Sequence, residues 1–103
     1  MKNITPQELN ALLRRGGDAI TLIDVRTPEE YSAGHIAGSR NIPLNLISGA
    51  LAELKNNAGT VYVNCAAGGR SMQACEILTQ NGIDAVNLVG GITAWASEGF
   101  EIV

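Results

Sequence analysis

One stretch of this chain, Cys65-Ala66-Ala67-Gly68-Gly69-Arg70-Ser71, has residue types whose spacing asks for a chemical explanation. A cysteine is a nucleophile only as its thiolate, and helix N-termini, neighbouring cations and converging backbone amides all favour that anion. Ala66 and Ala67 have minimal side chains and Gly68 and Gly69 have none, so the backbone can curl with its N–H groups inward as an anion-holding nest. Arg70 adds a permanent cation with several donors. The plain alternative is an inert core cysteine before a glycine-rich turn, because free cysteines are often fully buried. An inert turn gains nothing from two glycines and a cation beside a thiol, so the reactive reading prevails.

Spacing then separates two chemistries. A cysteine phosphatase cradle needs five residues between cysteine and arginine to wrap three phosphate oxygens. Only four lie between Cys65 and Arg70, and the position that would carry that arginine holds Ser71. The tighter loop suits a smaller guest, such as one extra sulfur on Cys65, whose negative charge the amides would stabilise. Persulfide chemistry therefore ranks above hydrolysis of a phosphate ester or handling of arsenate.

The remaining reactive residues have structural readings. Cys75, ten residues on, falls inside a helical pattern and reads as a small core residue rather than a resolving thiol. His35 is the only histidine and sits in a Gly-His-Ile turn, where a structural hydrogen bond fits better than a dyad with Cys65. Asp24 and Arg26 close a strand as Ile-Asp-Val-Arg and are expected to support the site by pairing or tying down loops. Gly90-Gly91 lacks the third glycine or lysine of a nucleotide loop and reads as close backbone packing. Trp95 and Phe100 read as packing anchors. Two cysteines and one histidine cannot make a four-ligand zinc set, so no metal is expected.

These groups must be held by elements whose boundaries the sequence marks. Thr5-Pro6-Gln7-Glu8 is a capping box with proline at the first helical position, opening a helix over 6–15 that Gly16-Gly17 stops. Residues 19–25 are dense in β-branched and apolar types without alternation, the pattern of a parallel strand covered on both faces. Thr27-Pro28-Glu29-Glu30 repeats the cap for a short helix ending at Gly34. Residues 35–44 read as a loop feeding a short strand, 46–55 as a helix, 60–64 and 85–88 as core strands, and 71–80 and 92–97 as helices. Cys65 thus lies at a strand-to-helix turn, where open α/β sheets place their reactive crevice. Alternating strands and helices mean a three-layer α/β domain.

Composition bounds the rest. With 103 residues there is room for one domain, 1–103, and 46% apolar against 17% charged residues argues for a packed core. Seven basic against ten acidic residues give a net charge of −3, which argues against nucleic acid as a partner. No apolar run approaches the ~18 residues that span a bilayer, and the start lacks a signal-peptide core. The chain reads as soluble and cytoplasmic, or periplasmic if an export signal was trimmed, with no membrane partner.

Taken together and in order, four segments resemble the rhodanese family, specifically its small single-domain sulfurtransferases. They are Ile23 to Tyr31, Gly34 to Ser39 with Asn41-Ile42-Pro43, the loop Cys65 to Ser71, and Gly90-Gly91-Ile92-Thr93-Ala94-Trp95 ending in Gly99. The resemblance implies a five-stranded parallel sheet flanked by helices, no cofactor, and ping-pong transfer of a sulfane sulfur; separately, the chain is expected to be a monomer. It makes Cys65 the nucleophile that becomes a persulfide, and Ala66, Ala67, Gly68, Gly69, Arg70 and Ser71 the loop that binds the substrate. The implied partners are a small anionic donor such as thiosulfate or a persulfide, and cyanide, a thiol or a protein as acceptor. Ser39 stands where the family usually has alanine, and the loop keeps only Arg70 of the two basic side chains seen in some dedicated thiosulfate enzymes. The alternative to an enzyme is a rhodanese-like carrier or binding module that works with a protein partner and is slow on small donors.

Overall fold

The computed structural model describes residues 2–16, 19–56 and 59–103. Their elements run β1 (Lys2–Ile4), α1 (Pro6–Gly16), β2 (Thr21–Asp24), α2 (Pro28–Ala33), β3 (Arg40–Asn41), a 3₁₀ turn (Leu44–Leu46), α3 (Ile47–Asn56), β4 (Val61–Asn64), α4 (Gly69–Gln80), β5 (Ala85–Leu88) and α5 (Gly91–Ser97). The strands form one parallel sheet in the order β1-β5-β4-β2-β3. The expected five-stranded parallel architecture is therefore the observed one.

Alternate strand residues feed two cores, as the period of two requires. Ile23, Val61, Val63 and Ala85 pack with Ile47 and Leu54 of α3 and Ala74, Cys75 and Leu78 of α4. Leu22, Tyr62 and Leu88 pack with Leu9 of α1 and Trp95 of α5 on the opposite face. Each fully buried leucine, such as Leu9, Leu78 or Leu88, contributes roughly 2 kcal/mol. Both capping boxes form: Glu8 N–H donates to Thr5 Oγ1 and Thr5 N–H to Glu8 Oε1, and Thr27 and Glu30 exchange the same pair.

Several boundaries differ from the sequence reading, some by a single residue: β2 ends at Asp24 rather than 25, α3 runs Ile47–Asn56 rather than 46–55, β4 begins at Val61 rather than 60, and α5 begins at Gly91 rather than 92. The residue pattern gave no sign of β1, because Lys2 and Asn3 are exposed on an edge strand that needs no apolar run. β2 begins at Thr21 rather than 19, and β3 has only two residues. α4 begins at Gly69 rather than Ser71, because Gly68 takes a left-handed φ of 115° and turns the chain straight into the helix. Of the stop expected at Gly16-Gly17, Gly17 lies outside the described residues, and α1 runs to Gly16.

Candidate active site

Cys65 follows Asn64 at the carboxyl end of central strand β4 and is only 1% exposed. Gly68 N–H donates to its Sγ at 3.0 Å, and Ser71 Oγ lies 3.4 Å from the same sulfur. Burial is the largest single influence on the thiol and pushes its pKa up. The Ser71 hydroxyl and N–H, then the N–H groups of Gly68 and Ala67, outweigh it, and the pKa falls below the ordinary thiol value. The converging amides expected of the loop are thus those of Ala67, Gly68 and Ser71. Gly69 and Arg70 have become the first turn of α4, whose positive dipole end faces the sulfur.

The loop is braced from behind by α5. Ile92 N–H donates to Cys65 O at 2.9 Å and Thr93 N–H to Ala66 O at 3.1 Å. A Cβ on Gly91 would stand 2.5 Å from both carbonyl oxygens, and φ is +60° there. Close backbone approach, the reading given to Gly90-Gly91, is what the pair provides.

Arg70 is the cation read from the loop, and its donors are engaged by a carboxylate. Its guanidinium grips Glu30 with two bonds, Nη1 to Oε1 at 2.7 Å and Nη2 to Oε2 at 3.0 Å. Arg70, followed by the Thr27 N–H, holds the Glu30 carboxyl at about 2. The same Oε1 therefore closes the α2 capping box and anchors the arginine. The two side chains are 36% and 37% exposed, so the pair's own stabilising effect is modest, on the order of 0.5 kcal/mol. Its importance is that the positive charge of Arg70 is already neutralised by a carboxylate.

Asp24 and Arg26 form a buried bidentate pair, with Arg26 Nε and Nη2 on the Asp24 carboxylate at 2.8–3.1 Å. Arg26 Nη2 also donates to Gly34 O at 2.8 Å, and Asn41 Nδ2 donates to the carbonyls of Asp24 and Arg26. Pairing and loop-tying both occur, and the hydrogen bonds of the pair go to each other and to these loops. His35 stacks on Tyr31 with ring centroids 3.8 Å apart and its Nδ1 lies 2.9 Å from Tyr31 O, an architectural place away from Cys65. Cys75 is fully buried in the core between the sheet, α3 and α4, where burial and then the Cys65 charge push its thiol up to about 11. Trp95 and Phe100 pack together in the other core.

Two site neighbours escaped the sequence reading. Glu30 was legible as a cap, but its grip on Arg70 joins residues 40 apart. Asn87, a polar residue within the wholly buried strand β5, touches Ser71 Oγ; an asparagine in an otherwise apolar core strand was the available signal.

Comparison with known proteins agrees with this fold. Residues 5–98 match the model of the rhodanese-like domain. A sulfurtransferase of Allochromatium vinosum is 41% identical over 85 residues, covering 82% of this chain and 78% of that protein. The thiosulfate sulfurtransferase PspE of Escherichia coli is 42% identical over 71 residues, 68% of each chain. The crystal structure of a rhodanese-like domain protein from Staphylococcus aureus superposes with a TM-score of 0.87 at 42% identity, covering 100% of this chain and 99% of that one.

Proposed function

This chain belongs to the rhodanese-like family of sulfurtransferases, and from that premise we propose that it passes a sulfane sulfur from thiosulfate or another persulfide donor to cyanide or a thiol through Cys65. The Cys65 thiolate attacks the outer sulfur of thiosulfate, the donor S–S bond breaks, and sulfite leaves with the electron pair. The product is a persulfide, Cys65–S–S⁻. Cyanide or a thiolate then attacks the outer sulfur, forms thiocyanate or a new persulfide, and returns the Cys65 thiolate. No net oxidation of the protein occurs and no cofactor takes part.

The observation that carries this reading is the donor set on Sγ: Gly68 N–H at 3.0 Å and Ser71 Oγ at 3.4 Å at the start of α4. These donors stabilise the attacking thiolate, and Ala66 to Ser71 form the wall against which one further sulfur sits. Arg70 steers the anionic donor, at a strength that Glu30 sets. Asp24 and Arg26 support the site by fixing the loops on the β2 side. The relative PspE bears the name thiosulfate sulfurtransferase, which makes thiosulfate the first donor to try. Intact mass after incubation with thiosulfate is expected to rise by one sulfur atom, located on Cys65 by peptide mapping. A protein that stays unmodified with thiosulfate and with small persulfides overturns transfer from small donors.

The surroundings of the loop favour one second reading, a carrier charged and discharged by a protein. Met72, directly after Ser71, and Val89, directly before Gly90, are 47% and 46% exposed, apolar groups that a macromolecular partner would cover. Rapid steady-state turnover with thiosulfate and cyanide supports the enzyme. A stable persulfide released only to a protein supports the carrier.

A further inference from the structure

The Ser71 hydroxyl is asked for more protons than it has. Its oxygen lies 3.0 Å from Gly68 O, 3.4 Å from Cys65 Sγ and in short contact with the side-chain amide of Asn87, with Oδ1 as the near atom. A carbonyl, a thiolate and an amide oxygen are all acceptors, and a hydroxyl carries one proton and two lone pairs. With Oδ1 facing it, a proton given to Asn87 is lost to the sulfur, and two acceptors are left against a bare oxygen in a site where Ser71 is fully buried.

Turning the Asn87 amide by half a revolution, which its shape permits, reduces the conflict from three acceptors to two. Nδ2 then donates into a lone pair of Ser71 Oγ and leaves the hydroxyl proton for another acceptor. Gly68 O already receives Met72 N–H at 3.1 Å, whereas a thiolate is the stronger, charged acceptor. The turned amide also keeps its far end satisfied. Asn87 lies opposite Asn3 in the β1–β5 register, their side chains 3.4 Å apart, and Asn3 is exposed and free to turn in step. A polar chain then runs from the edge strand through Asn87 and Ser71 to the nucleophile.

We propose that Asn87 is a positioning residue: it donates from Nδ2 to Ser71 Oγ and so commits the single Ser71 proton to the Cys65 sulfur. This rests on the sulfur-transfer reading only for its purpose, since the same proton would hold the thiolate before attack and the persulfide after it. Other charged or titratable groups around Cys65 are Arg70 with Glu30, Asp24 with Arg26, and Cys75, and none of them changes in the test below.

The test is a double-mutant cycle read on the apparent pKa of Cys65, from the pH dependence of iodoacetamide alkylation mapped by mass. Asn87→Asp supplies an acceptor only, which takes the Ser71 proton, and adds a negative charge. Ser71→Ala removes the relay and leaves the charge effect alone. The expected result is a rise of at least about one pH unit for Asn87→Asp in the wild-type background and less than half of that in the Ser71→Ala background. Equal shifts in both backgrounds, or none, overturn the proposal. Should Asn87→Asp not fold, the side-chain amide protons of Asn87 in the wild-type protein, followed by NMR, are expected to titrate with the Cys65 pKa and to stop doing so in Ser71→Ala. Amide signals indifferent to that titration also overturn it. Thiol pKa is measured without any donor, so absent coupling with intact transfer counts against Asn87, and intact coupling without transfer counts against the sulfur reading.

Discussion

Cys65 and Cys75 lie ten residues apart and are equally buried, at 1% and 0% exposure. Their thiols are nonetheless driven in opposite directions, Cys65 below the ordinary value and Cys75 up to about 11. Desolvation acts on both. What differs is the supply of donors: Cys65 meets the Ser71 hydroxyl and three backbone amides, whereas the Cys75 side chain lies among Ala74, Leu78 and the apolar residues of β4 and α3. Burial alone therefore makes a cysteine inert, and burial with aimed donors makes it reactive.

The sharpest way to break this contrast is to exchange the two losses. Cys65→Ser is expected to lower sulfur transfer more than roughly 10³-fold, while Cys75→Ala keeps most of it; equal losses measured with thiosulfate and cyanide would erase the distinction. The next effect is on stability. A thiol raised from 9.0 to about 11 is neutral in the folded chain, so its contribution is complete below pH 9 and is lost as pH climbs towards 11. Thermal melts across that window should show an alkaline loss on the order of 2 kcal/mol, and Cys75→Ala should remove it. A melting curve that falls equally in the variant would clear Cys75 of the effect.

Arg70 and Glu30 test how much the outer charge adds to the donors. Arg70→Ala is expected to raise the apparent KM for thiosulfate roughly tenfold with less effect on uncharged persulfide donors; an unchanged KM removes the steering role. Glu30→Gln leaves the arginine unneutralised and should lower that KM by about threefold, the smallest effect and the one of opposite sign. A rise instead would mean that Glu30 is needed to aim the guanidinium.

Much of the site was legible because its causes are local. A short loop of alanines and glycines between a β-branched strand and a helix dictates a nest, and two capping boxes set the starts of α1 and α2 within a few residues. What could not be read are contacts across the fold. Nothing near Glu30 announces Arg70, and nothing near Asn87 announces Ser71, since parallel strands bring together residues far apart in sequence. β1 was invisible for a related reason: Lys2–Ile4 gains its place from pairing with Val86 to Leu88 rather than from any pattern of its own.

The two bonds from Ile92 and Thr93 to the carbonyls of Cys65 and Ala66 tie the life of the reactive loop to a helix of seven residues near the end of the chain. Unzipping that helix frees the backbone of the nucleophile while the central strands stay paired. Loss of reactivity on warming should then run ahead of global melting, and hydrogen exchange at those two amides becomes a clock for how long the site stays assembled.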